Sequence, residues 1–157
     1  MKENDRAGKC GLYCGACPFY RATVDPAFKE QWKKEHEKWE DDWYCLGCSN
    51  LDEHSWGNDC AMVQCNHEHK TDFCHHCDSF PCEKLTAFSQ DDYPHHHTCI
   101  TGSNRMKEIG CEVWIHEQEK RWSCSKCGAP FDWYAKTCHQ CGEPVFNCVA
   151  EDQPPKK

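Results

Sequence analysis

Ten of the 17 cysteines in this chain stand in five Cys-x2-Cys pairs: Cys14/Cys17, Cys45/Cys48, Cys74/Cys77, Cys124/Cys127 and Cys138/Cys141. Two residues between thiols let one tight turn aim both sulfurs at a tetrahedral ion, and a second such turn completes the shell. The last two pairs, in Cys124-Ser-Lys-Cys127-Gly128 and Cys138-His-Gln-Cys141-Gly142, are ten residues apart and predict a compact four-thiolate metal site. The glycine after each pair suits a residue that must leave its turn with positive φ.

The first half carries ten more candidate ligands: Cys10, Cys14, Cys17, Cys45, Cys48, Cys60, Cys65, Cys74, Cys77 and Cys82. They allow two further four-thiolate sites with two thiols left over. One closure pairs Cys14/Cys17 with Cys45/Cys48, and groups Cys60, Cys65, Cys74 and Cys77, leaving Cys10 and Cys82. Interleaved arrangements are equally compatible with the spacing. Cys10-x3-Cys14-x2-Cys17 also matches the spacing by which radical-SAM enzymes hold three irons of a [4Fe–4S] cluster. A barrel of about 200 residues or more does not fit this chain, but a simpler cluster does. The expected cofactor is zinc, with iron or a [4Fe–4S] cluster at the N-terminal cysteines as the alternative, because thiolates bind both metals. Spacing assigns no role to Cys99, Cys111 or Cys148. It assigns none to His95, His96 and His97 either, since adjacent histidines on an extended chain point in different directions.

Something must hold these thiols in place, and the aliphatic inventory is thin. Leu, Ile, Val and Phe supply 19 of 157 residues, about 12 % against the roughly 20 % below which a charged chain is expected to stay disordered. Mean hydropathy is −0.93. The missing stabilisation has to come from cross-links, with seven Trp, seven Phe and five Tyr as apolar mass around them. The charged start, Met1-Lys-Glu-Asn-Asp-Arg6, leads into no apolar run, so a cytoplasmic setting with reduced thiols is expected, and metal rather than disulfides. The odd cysteine count points the same way.

Net charge is −8, and three four-thiolate zinc centres would take it to about −14. That excludes general affinity for duplex nucleic acid, which rests on phosphate neutralisation. No segment reaches the roughly 18 apolar residues of a membrane span. The expected partner is another protein, met through Trp39, Trp43 or Trp56. No phosphate-binding glycine loop, His-Glu-x2-His or Gly-x-Ser-x-Gly occurs. Cys74-His75-His76-Cys77 offers thiols beside bases, yet sequence neighbours rarely reach catalytic geometry. A non-catalytic adaptor or regulatory module is therefore favoured over a rubredoxin-like redox carrier.

The predicted fold class is a small metal-stabilised α+β protein: an irregular cysteine cluster, two main helices and a C-terminal zinc-ribbon β-hairpin. Asp25 and Pro26 open the first helix, predicted to run to about Asp42 with Phe28, Trp32, His36, Trp39 and Trp43 on one face. A short helix is predicted near Pro81, carrying Leu85 and Phe88. A second long helix is predicted from Ser103 to Arg121, burying Met106, Ile109, Val113 and Trp114, with Gly110 weakening it by about 1 kcal/mol. Phe131 and Trp133 alternate on the expected hairpin and shield the metal. The implied organisation is a metal-binding domain over 1–90, a connector and helix over 91–122, the ribbon over 123–149 and a disordered tail over 150–157.

Three segments together are distinctive: Cys10-Gly-Leu-Tyr-Cys14-Gly-Ala-Cys17-Pro-Phe-Tyr20, Cys45-Leu-Gly-Cys48, and Cys74-His-His-Cys77-Asp-Ser-Phe-Pro81-Cys82-Glu-Lys-Leu85. They resemble a family of small cysteine-rich prokaryotic proteins of unknown function, described as candidate zinc binders. The likeness covers about residues 8–90. Members with a C-terminal extension are similar to this chain from Ile109 onward, including Trp114, Arg121-Trp122 and Trp133-Tyr134. The resemblance implies cytoplasmic zinc binding and no established activity, and it gives His75 and His76 no role.

Overall fold

The computed structural model describes residues 5–40 and 42–152. Within them the chain forms seven α-helices: α1 (Pro18–Val24), α2 (Pro26–Glu35), α3 (Ala61–His69), α4 (Glu83–Phe88), α5 (Cys99–Ile109), α6 (Cys111–Arg121) and α7 (Cys148–Glu151). Short 3-10 turns open at Cys14, Cys74 and Pro94. The predicted α+β class is wrong, because the described residues contain no β-strand and the expected zinc-ribbon hairpin is absent. After α6 the backbone pairs only at isolated bridges, Ser123 with Pro130 and Thr137 with Pro144. In the first, Phe131 N–H donates to Trp122 O at 3.0 Å, but the next donor on that side, Trp133 N–H, goes to Ala16 O at 3.0 Å, so no ladder continues.

α2 begins as its sequence dictates. Asp25 accepts from the N–H groups of Ala27 (3.0 Å) and Phe28 (3.1 Å), and Pro26 occupies the first helical position. It ends at Glu35 rather than near Asp42, where His36 leaves helical geometry and stacks on Trp32 with ring centres 3.8 Å apart. Trp39 and Trp43 therefore lie beyond the helix and pack on Phe19, at 5.0 and 5.6 Å.

The predicted long helix is two. α5 starts at Cys99, and Gly110, at φ +85°, ψ 153°, ends α5 and begins α6. Any other residue would be strained there, so Gly110 breaks the helix outright instead of weakening it. α6 packs against α5, tied by Arg105 donating to both carboxylate oxygens of Glu117, at 3.1 and 2.6 Å. The break resets which side faces in: Trp114 and Ile115 are buried, whereas Val113 is 53 % exposed. Ser103, expected at the start of the helix, is instead buried inside α5 and donates to Cys10 O at 3.0 Å.

One apolar cluster joins both halves of the chain. It includes Ala7, Leu12, Tyr13 and Leu85 from the first half, and Met106, Trp114, Trp122, Phe131, Trp133 and Cys148 from the second. Phe131 and Trp133 thus fill this core rather than shielding the thiols after α6. A much smaller cluster, Cys124, Ala129 and Cys138 backed by Cys141 and Val145, touches the main core through Val145. Of the expected tail, Ala150 and Glu151 lie in α7, while residues 153–157, like Met1–Asn4, fall outside the described residues. No helix among the described residues is long and apolar enough to cross a membrane.

Candidate metal centre

Two copies of one backbone turn build the site after α6. In the first, Cys124 N–H donates to Ala129 O and Gly128 N–H to Cys124 O, both at 2.8 Å. In the second, Cys138 N–H donates to Glu143 O at 2.7 Å and Gly142 N–H to Cys138 O at 2.8 Å. Gly128 and Gly142 take φ of +76° and +73°, as the spacing predicts. The turns aim peptide N–H groups at sulfur: Cys127 and Lys126 donate to Cys124, Ala129 to Cys127, and Glu143 to Cys141. For Cys124 the first two donors hold the thiol down at about 7, favouring the thiolate that a metal requires.

The four sulfurs, Cys124, Cys127, Cys138 and Cys141, all lie within 4.8 Å of one another. The cross-turn pairs Cys124–Cys141 and Cys127–Cys138 are 3.6 and 3.5 Å apart. A tetrahedral ion with about 2.3 Å bonds to sulfur sets sulfur–sulfur edges of about 3.8 Å, so these residues fit a four-thiolate ion. No second set of three or more ligating groups converges as tightly among the described residues. Lys126, one of the few cations here, pairs with Glu143 at 3.2 Å.

The N-terminal cysteines are arranged more deeply and more loosely. Cys14 and Cys48 are hydrogen-bonded sulfur to sulfur, with Cys17 and Cys45 beside Cys14. Backbone donors reach this group as well: Phe19 and Tyr20 to Cys17, Gly47 and Gly57 to Cys45, and Lys9 to Cys48. The bond from Cys14 brings Cys48 down to about 7, while burial pushes Cys17 up to about 12. A separate cavity of about 20 Å³ is lined by Cys65, Cys74, Cys77 and Cys82. Cys60 is not among its walls. It stands at the start of α3, near Cys10.

Spacing could not have found two participants. Asn66, on α3, donates to Cys74 Sγ at 3.2 Å. Cys99, fully buried, lies against Cys10 and Cys74. His95, His96 and His97 sit in one 3-10 turn with different partners. His95 stacks on Trp133 with ring centres 4.2 Å apart and meets the Tyr134 hydroxyl, His96 meets Asp91, and His97 meets Asp152. All 17 cysteines are free of disulfides.

A further cavity of about 150 Å³ lies away from these sulfurs between Tyr13, Trp114, Trp122 and Trp133. Its two arginines, Arg105 and Arg121, are engaged by Glu117 and Glu151.

Residues 6–87 match the model of a family described as protein of unknown function, DUF3795. No curated protein and no solved structure matches the chain.

Proposed function

We propose, starting from the chain's membership of the DUF3795 family of proteins of unknown function, that it is a cytoplasmic multi-zinc module which binds another protein and performs no catalysis. The observation that carries the metal reading is the convergence of Cys124, Cys127, Cys138 and Cys141 within 4.8 Å, on turns that point N–H groups at their sulfurs. Four thiolates close the coordination shell, leaving no open position for a substrate. The N-terminal cysteines extend this role, because Cys17, Cys45 and Cys48 also receive backbone N–H donors and Cys14 lies against Cys48.

The contact with a partner protein is supported by one aromatic surface. Trp56 is 50 % exposed and stacks on Phe19 with ring centres 3.8 Å apart, while Trp39 and Trp43 are half-buried beside it. Trp56 rather than the other two is the residue a partner would meet.

Metal analysis of untagged protein, purified anaerobically and scanned for visible absorption, tests the reading. Two or more tightly held zinc ions per chain and a colourless solution are expected. Fewer than two ions, or a stoichiometric brown or red chromophore, would overturn it in favour of an iron–thiolate redox carrier.

A further inference from the structure

Four cysteines that no single sequence motif unites surround the small cavity between α3 and α4. Cys65 projects from α3. Lys70, at φ 54°, then turns the chain back, and Thr71 fixes the turn by donating from N–H to Asn66 O (3.0 Å) and from its hydroxyl to Asn66 Oδ1 (2.9 Å). With its carbonyl occupied, the Asn66 amide points its NH₂ at Met62 O (2.8 Å) and at Cys74 Sγ (3.2 Å). Cys74 and Cys77 share a 3-10 turn closed by Cys77 N–H on Cys74 O at 3.1 Å. Cys82 precedes α4 and accepts from Leu85 N–H at 3.5 Å. The cavity's volume, about 20 Å³, is close to that of one water-sized sphere.

We propose that Cys65, Cys74, Cys77 and Cys82 are the ligands of a second four-thiolate metal ion, with Cys60 outside the site. This inference rests on the multi-zinc reading above and names the ligands of one of its N-terminal ions. Three observations favour Cys82 over Cys60, which one of the closures open to the spacing groups with Cys65, Cys74 and Cys77. Cys82 lines the cavity and Cys60 does not. Cys82 is near Cys74, together with Cys65 and Cys77, whereas Cys60 neighbours Cys10. The N–H donors from Asn66 and Leu85 reach two of these sulfurs from outside the ring, as partners that orient metal-bound thiolates do. His69 is a neighbour rather than a ligand: its Nδ1 lies 2.9 Å from Cys65 O and 3.6 Å from Cys65 Sγ. The sulfurs stand wider than those after α6, so binding the ion draws them inward.

The test uses the full chain loaded with zinc or with cobalt(II), whose visible bands report the number of sulfur ligands. Relative to the parent, Cys82→Ser should lose one equivalent of zinc and Cys60→Ser none. Cys82→His should keep the ion and shift the cobalt bands as one sulfur is replaced by nitrogen. That arm decides the matter if Cys82→Ser does not fold. Loss of an ion from Cys60→Ser, or an unshifted cobalt spectrum in Cys82→His, would overturn the assignment. A parent with fewer than two ions would instead overturn the multi-zinc reading itself.

Discussion

The cysteines after α6 and those of the N-terminal half share the Cys-x2-Cys spacing in opposite surroundings. Cys124, Cys127, Cys138 and Cys141 are brought together by two turns spanning 18 residues, with only Ala129 and Val145 as apolar company. Cys14, Cys17, Cys45 and Cys48 meet across α1, α2 and the Trp-rich segment that follows, and Cys14 and Cys45 are among the core residues. Local hydrogen bonds suffice to arrange the first set. The second set is held by the tertiary packing it helps to hold. A metal in the first therefore braces a lobe, and a metal in the second braces the molecule.

The sharpest way to break this contrast is to remove one thiol from each set. Cys48→Ser should abolish the cooperative thermal transition and the near-UV tryptophan signal of the whole chain. Cys138→Ser should release one ion and lose hydrogen-exchange protection only around residues 124–129 and 138–143. Loss of protection along the entire chain in Cys138→Ser would show that the lobe and the body are one cooperative unit.

Trp133→Ala comes next in size. Trp133 is 8 % exposed, lies in the main core and follows the first knuckle closely. Truncation should cost about 3–5 kcal/mol in urea unfolding without changing the metal count. A lost ion would mean that the core, not the turns, arranges the C-terminal sulfurs.

A smaller effect is expected from Gly142→Ala. Positive φ costs a residue with a side chain about 1–2 kcal/mol, so zinc affinity at this site should fall roughly tenfold. Nothing lies near the added methyl, which leaves backbone strain as the only cause. Unchanged affinity in a chelator competition would show that the turn relaxes freely.

The smallest effect concerns pH. Burial holds His95 down at about 3, below the usual value of about 6.5. The unfolded chain thus takes up a proton between those values that the folded chain refuses, and stability falls as pH drops through that window. His95→Phe should flatten the decline of the urea midpoint between about pH 6.5 and 4 at saturating zinc. An equal slope in both proteins would show that His95 is protonated in the folded state.

What was legible beforehand was whatever a few neighbouring residues decide. Asp25-Pro26 opens α2, Gly128 and Gly142 leave their turns with positive φ, and Cys124, Cys127, Cys138 and Cys141 converge. What was illegible depends on contacts across the chain or on a breaker's true conformation. Gly110 reads as a weak spot in one helix, but its backbone belongs to the junction of two. The alternation of Phe131 and Trp133 reads as a strand, but Trp133 N–H is taken by Ala16 O across the chain instead of by a neighbouring strand. Cys82 and Cys60 are interchangeable in spacing and are separated only by the way α3 and α4 pack.

The knot around Cys10, Cys14 and Cys17 takes its tertiary hydrogen bonds in the order in which the chain is made. Lys9 O accepts from Cys74 N–H at 2.8 Å, Cys10 O from the Ser103 hydroxyl at 3.0 Å, and Ala16 O from Trp133 N–H at 3.0 Å. On a ribosome adding about 5–20 residues per second, the last of these partners arrives on the order of ten seconds after the knot itself has emerged. Throughout that interval a cluster of reduced thiols sits on a nascent chain with its closing bond unmade. Under the proposed multi-zinc reading, metal supplied during translation rather than after release would compete with oxidants for those thiols.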